Sequence, residues 1–158
     1  MKTILFPNIT KTKKHISSNE TLYCPNKQNS MLYQLYLEEH FDEKNELLKE
    51  ITKKLQGYKQ QDKKHSIYSK QHFICKDTTI QRLVECKLIC FYCKTKLMLF
   101  YKESKQPNQW TLDRIDNSMG HNHNNIVISC LDCNLKRRTT DLHKFLYTKQ
   151  LSITRLDN

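Results

Sequence analysis

Cys90-Phe91-Tyr92-Cys93 and Cys130-Leu131-Asp132-Cys133 are two C-x2-C knuckles separated by 36 residues. A two-residue gap lets two thiolates of one tight turn meet a single ion, and two such knuckles complete the closed tetrahedral shell typical of structural Zn²⁺. Cys90, Cys93, Cys130 and Cys133 are therefore read as a structural zinc site. The interval between the knuckles exceeds the roughly 15–20 residues of a plain zinc ribbon, so it should hold the functional part of the chain. The seven cysteines are an odd number, which suits metal ligands and free thiols rather than a disulfide framework. Cys24, Cys75 and Cys86 are expected to be small buried thiols.

The elements that must position this interval can be read from its pattern. Lys96-Leu97-Met98-Leu99-Phe100-Tyr101 is strand-like, Ser104 to Asn108 is a polar turn, and Trp110-Thr111-Leu112-Asp113-Arg114-Ile115 is a second strand. These two runs are expected to pair as a hairpin. A polar loop follows from Asp116 to Asn125, carrying Gly120, His121 and His123, and the apolar Ile126-Val127-Ile128 leads into the second knuckle. A helix should begin at Cys130 and carry Asn134, Lys136, Arg137 and Arg138, giving a ββα unit pinned by one zinc ion. Trp110 is expected in the core, and Leu142, Phe145, Leu146 and Leu151 on an amphipathic C-terminal helix packing back on the unit.

The run from Trp110 through Asp113-Arg114-Ile-Asp116, Gly120-His121-Asn-His123-Asn-Asn125 and Cys130-Leu-Asp-Cys133-Asn134 to Arg137 resembles the HNH endonucleases with flanking zinc knuckles, which include recombination and homing nucleases. The resemblance covers about Cys90 to Arg138, under a third of the chain. It implies that Asp113 and Asn134 hold one catalytic Mg²⁺ or Mn²⁺, and that Asn125 orients the general base. A hard ion of this kind takes oxygen ligands and keeps waters. The family's general-base histidine follows the aspartate, where this sequence has Arg114, and arginine does not accept a proton. Histidine is the side-chain type whose ordinary pKa suits a base near neutrality, which makes His121 and His123 the candidates. His121 is favoured, with Asp116 second as base or extra metal ligand. Arg114 would then clamp the phosphate, with Lys136, Arg137 and Arg138 as further phosphate contacts.

Composition agrees with a nucleic-acid partner, and the HNH resemblance implies DNA in preference to RNA. The chain has 27 basic against 16 acidic side chains, a net charge of +11, which favours a polyanion. Four of the five arginines lie in the second half, and arginine is the better phosphate fork. No apolar run approaches the roughly 20 residues of a bilayer span, so no membrane partner is expected. The opening residues lack a secretory apolar core, and an intracellular setting is expected, with cytoplasm, nucleus and organelle all open.

The expected fold class is α+β: a helical N-terminal region, a zinc-stabilised ββα-metal module and a C-terminal helix. Residues 1–29 are read as a polar basic arm, 30–88 as the helical region and 89–158 as the nuclease-like module. Within the helical region, helices are expected over about 30–57, broken near Phe41-Asp42 and closed by Gly57, and over about 78–88 with Asp77 as N-cap. Residues 58–72 are read as a polar linker. The expected function is a metal-dependent HNH-type endonuclease, with a catalytically silent nucleic-acid-binding or ribonucleoprotein subunit of the same fold as the alternative. Two-fold cleavage of a duplex would suit a homodimer.

Overall fold

The computed structural model describes residues 19–151. The first 18 residues of the expected arm and the last seven of the chain lie outside the described residues. The fold is α+β, with five helices and one two-stranded antiparallel sheet among the described residues. A short 3₁₀ turn (Glu20–Tyr23) leads to α1 (Pro25–Tyr36), α2 (Lys44–Lys64) and α3 (Lys76–Glu85). The strands β1 (Trp110–Arg114) and β2 (Ile126–Cys130) follow, then α4 (Leu131–Arg137) and α5 (Leu142–Gln150).

α1 starts at Pro25, which is pre-set for a first helical turn. It takes the last residues of the expected arm into the fold, and Leu22 before it is buried. Gln28 is fully buried on α1. Its amide donates to the carbonyls of Leu22 and Phe100, and its oxygen accepts from the backbone N–H of Leu99 and Phe100. This pairing fixes the segment around residues 97–101, which was expected to be the first strand of a hairpin. It forms only isolated bridges, Ile89 with Lys96 and Met98 with Gln109. Leu97, Met98, Leu99, Phe100 and Tyr101 are all buried, so the run is core filling without the alternation of a half-exposed strand.

The partner of β1 is β2, in a register that sets Trp110 opposite Cys130, Asp113 opposite Val127 and Arg114 opposite Ile126. The sheet, the loop 115–125 between its strands and α4 directly after it make a ββα arrangement assembled from different strands than the pattern suggested.

The reading of residues 58–72 as a linker is overturned for its first half, because α2 continues unbroken through Gly57 to Lys64. Its inward stripe Leu47, Ile51, Leu55 recurs at helical spacing as Tyr58 and Asp62. Nothing lies within 4 Å of a Cβ at Gly57, so that glycine sits on open surface rather than at a cap. The helix ends at His65, where Ser66 takes a φ of 58°. Ile67 N–H bonds Asp62 C=O and Ser66 N–H bonds Lys63 C=O, the paired bonds of a Schellman end. α3 is capped by Cys75, whose sulfur accepts from Thr78 N–H, rather than by Asp77. Cys24 and Cys75 are exposed and Cys86 half-buried, so the expectation of three buried thiols fails. One core cluster runs from Leu22, Leu32, Ile51 and Leu83 through Trp110 and Ile128 to Leu142 and Phe145. Phe145 of α5 meets Tyr92 edge-on at 5.0 Å between centroids.

Candidate metal centre and basic cleft

The four knuckle cysteines converge. The sulfurs of Cys90, Cys93, Cys130 and Cys133 all lie within 4.8 Å of one another, and those of Cys93 and Cys130 are 3.8 Å apart. A tetrahedron of sulfurs about 2.3 Å from a central zinc has edges of about 3.8 Å, so the cluster fits a zinc ion. The first knuckle turns back through Lys94, at a φ of 61°, and the second is the N-terminus of α4, where Cys133 N–H donates to the Cys130 sulfur. Cys130 N–H donates to the Cys90 sulfur at 3.3 Å. The hydrogen bond with Cys130 and those from the knuckle backbone hold the Cys90 thiol well below its ordinary pKa and push that of Cys130 up. Burial raises that of Cys133 to about 12. Four sulfurs this close do not all ionise unaided, and a divalent cation would supply the missing charge.

Beside the knuckles, α2, β1, the 115–125 loop and α4 enclose a cleft of about 510 Å³. Among the residues expected to carry chemistry, Asp113, Arg114, His121, Asn134 and Arg138 line it. Asn134 stands at its edge, donating through Nδ2 to Thr111 Oγ1 at 3.1 Å and to Leu112 C=O at 3.3 Å, which leaves Oδ1 as its acceptor. Arg114 projects from the end of β1 and donates to the carbonyls of Asn117 and Met119. Arg138 follows α4 with a φ of 52°, and its carbonyl accepts from Asn117 Nδ2.

His121 is 3% exposed and rigidly held. Its Nδ1 lies 2.7 Å from Asp62 Oδ1, and its backbone N–H donates to Asp62 Oδ2 at 2.7 Å. The Tyr58 ring covers it at 4.5 Å between centroids. Desolvation lowers the His121 pKa from its ordinary value, while Asp62 pulls the other way. Asn125 is buried and braces the preceding loop. Its Oδ1 accepts from Asp116 N–H, and its Nδ2 donates to the carbonyls of Asp116 and Gly120. Asn125 thus fixes the backbone that delivers His121 rather than the ring itself.

Asp113 is buried at the cleft floor, with Tyr92 hydroxyl donating to Oδ2 at 2.6 Å and Arg137 Nη1 donating to Oδ1 at 2.8 Å. Burial raises its pKa, with Tyr92 and Arg137 opposing. The same Arg137 donates to the carbonyls of Arg114 and Ile115 and is 1% exposed. The expectation that Arg137 contacts phosphate is therefore corrected: its guanidinium ties β1 to α4 from inside. Lys136 lies on the outer face of α4, exposed and paired with Asp132 at 2.8 Å, away from the cleft. Asp116 is exposed, and its Oδ1 accepts from Ser118 N–H and Oγ, closing a turn rather than facing the cleft. His123 points elsewhere too, with its Nδ1 3.2 Å from His72 C=O and its ring stacked on that of His72.

Sequence reading missed the wall that α2 contributes, with Tyr58, Gln61 and His65 on the cleft and Asp62 behind His121. The available signal was the apolar stripe of α2 continuing in phase to Tyr58 and Asp62, which places a carboxylate at a core position. Comparison with known protein families, curated proteins and solved structures gives no match. No helix among the described residues is long and apolar enough to cross a membrane.

Proposed function

We propose that the chain is a metal-dependent HNH-type endonuclease that hydrolyses DNA phosphodiester bonds, built on a zinc ion held by Cys90, Cys93, Cys130 and Cys133. One observation carries the reading: His121, the two arginines Arg114 and Arg138, and the oxygen-bearing Asp113 and Asn134 all line one cleft. A phosphate seated there meets two planar forks suited to its oxygens. His121, with Nδ1 against Asp62, presents Nε2 as the nitrogen that takes the proton of the attacking water. The water oxygen bonds phosphorus as the bond to the 3′ oxygen breaks, and Arg114 offsets the developing charge.

Asp113 and Asn134 are the residues that would hold Mg²⁺ or Mn²⁺. A carboxylate offers about four lone-pair sites, of which Tyr92 and Arg137 occupy two. Two hard donors beside a phosphate match an ion that retains several waters. When bound, it neutralises the phosphate and stabilises the leaving oxygen. Because Arg137 already balances Asp113, the phosphate's charge would add to what these two residues offer such an ion.

The same Arg137–Asp113 pairing favours a second reading, the silent nucleic-acid-binding subunit. Nicking of supercoiled plasmid in Mg²⁺ or Mn²⁺ separates the two. The enzyme reading expects cleavage that is lost on chelation and in Asp113→Ala. Binding of DNA without cleavage of plasmid, branched or single-stranded substrates in either metal overturns it in favour of the silent module.

A further inference from the structure

We infer that Asp62 is the positioning residue of this site: it fixes His121 as the Nδ1–H tautomer with a bare Nε2 turned to the cleft, so that the N-terminal helical region completes the catalytic apparatus. The inference rests on His121 being the base proposed above.

Asp62 is 0% exposed on a helix stripe that is otherwise apolar or aromatic. Burying a carboxylate is costly, and a well-packed apolar residue commonly serves stability as well or better. Both of its oxygens are directed at one residue, Oδ2 to the backbone N–H of His121 and Oδ1 to its Nδ1. This clamp sets the height of the ring and its rotation together. A carboxylate accepts hydrogen bonds and does not donate them when ionised. The ring proton therefore lies on Nδ1, and the lone pair on Nε2. Tyr58, one turn earlier on α2, holds the ring plane from its face at 35°, and Tyr58 is itself anchored by accepting from Leu112 N–H of β1 at 3.0 Å.

Gly120 makes the approach feasible. A Cβ there would stand 2.7 Å from Asp62 Oδ2 and 2.6 Å from Ile67 C=O, closer than atoms tolerate. The Gly120 carbonyl also accepts from Asn125 Nδ2, which braces the loop where His121 reaches Asp62. Asp62 C=O in turn accepts from Ile67 N–H in the helix end, so hydrogen bonds tie the helix terminus, the carboxylate and the histidine together. A loop histidine without such support would be a solvated side chain.

Two readouts test this. Nitrogen-15 NMR of the wild-type protein should show His121 neutral near pH 7, protonated on Nδ1 and bare on Nε2, with the Nδ1 proton shifted downfield by its carboxylate partner. In Asp62→Asn the side-chain amide can donate to Nδ1, and the proton should move to Nε2. Single-turnover cleavage by Asp62→Asn should then fall on the order of 10²-fold or more, with substrate affinity unchanged. A wild-type His121 protonated on Nε2 overturns the inference, as does an Asp62→Asn protein that keeps the Nδ1–H tautomer or the wild-type cleavage rate. If Asp62→Asn does not fold, the wild-type tautomer decides alone. If the wild-type protein cleaves nothing, the tautomer still decides the role of Asp62, while the endonuclease reading fails separately.

Discussion

Arg137 gives the sharpest test of how the ββα unit is held. Arg137→Met keeps the length of the side chain and removes its charge. Arg137 is 1% exposed, and its three donated hydrogen bonds go to Asp113 Oδ1 at 2.8 Å, Arg114 C=O at 2.7 Å and Ile115 C=O at 2.9 Å. The substitution leaves the Asp113 carboxylate buried with only the Tyr92 hydroxyl as partner. Removing one member of a buried ion pair costs about 3–5 kcal/mol. At about 3 °C per kcal/mol for a chain of this size, Tm should fall by roughly 9–15 °C. The assay is thermal unfolding followed by circular dichroism, run on Arg137→Met, Asp113→Asn and the double variant. The double variant should lose less than the two single losses combined, because neither charge is then left alone. A loss under about 1 kcal/mol in Arg137→Met, together with weaker DNA binding, would refute the internal tie and make Arg137 a phosphate contact.

Three further outcomes are expected. Metal analysis of freshly purified protein should give one zinc per chain, and removal by a strong chelator should unfold the ββα unit, because the ion's binding energy is folding energy; a folded, zinc-free protein contradicts this. Arg138→Ala should weaken DNA binding and reduce its dependence on salt by about one phosphate contact, whereas Lys136→Ala, paired outside the cleft, should leave both unchanged; titrations at two or more salt concentrations separate them. The His121 pKa is lowered in the fold from an ordinary value near 6.5, so the unfolded chain binds this proton more readily. The stability contributed by keeping His121 neutral is thus complete above about pH 6.5 and declines as pH falls through that value toward the folded one. His121→Gln should flatten this segment of a urea-unfolding series against pH, and an unchanged slope would contradict the assignment.

The features legible in the sequence are those set by local spacing. Two C-x2-C pairs can meet one ion whatever the intervening chain does, and Cys90, Cys93, Cys130 and Cys133 do converge. Trp110, at 1% exposed, fills the core, and the helix carrying Asn134 begins where the second knuckle caps it. What failed depended on long-range pairing. β-propensity in residues 96–101 could not show that Gln28, about 70 positions earlier, captures that backbone, nor that Ile126–Cys130 is the partner of β1. The basic run Lys136-Arg137-Arg138 reads as one charged face by composition, yet helical geometry turns its middle residue inward and its first outward. Residues 58–64 are polar enough to read as a linker, but the phase of the α2 stripe, which carries Tyr58 and Asp62 to the site, outweighs that polarity.

In the proposed reaction His121, and not a residue following Asp113 directly, removes the proton from the attacking water. Single-turnover nicking of plasmid by wild type and His121→Ala at equal bound protein measures it. His121→Ala, assayed below its lowered Tm, should keep zinc and DNA affinity while cleavage falls by about 10²–10⁴-fold; cleavage at the wild-type rate would contradict this role.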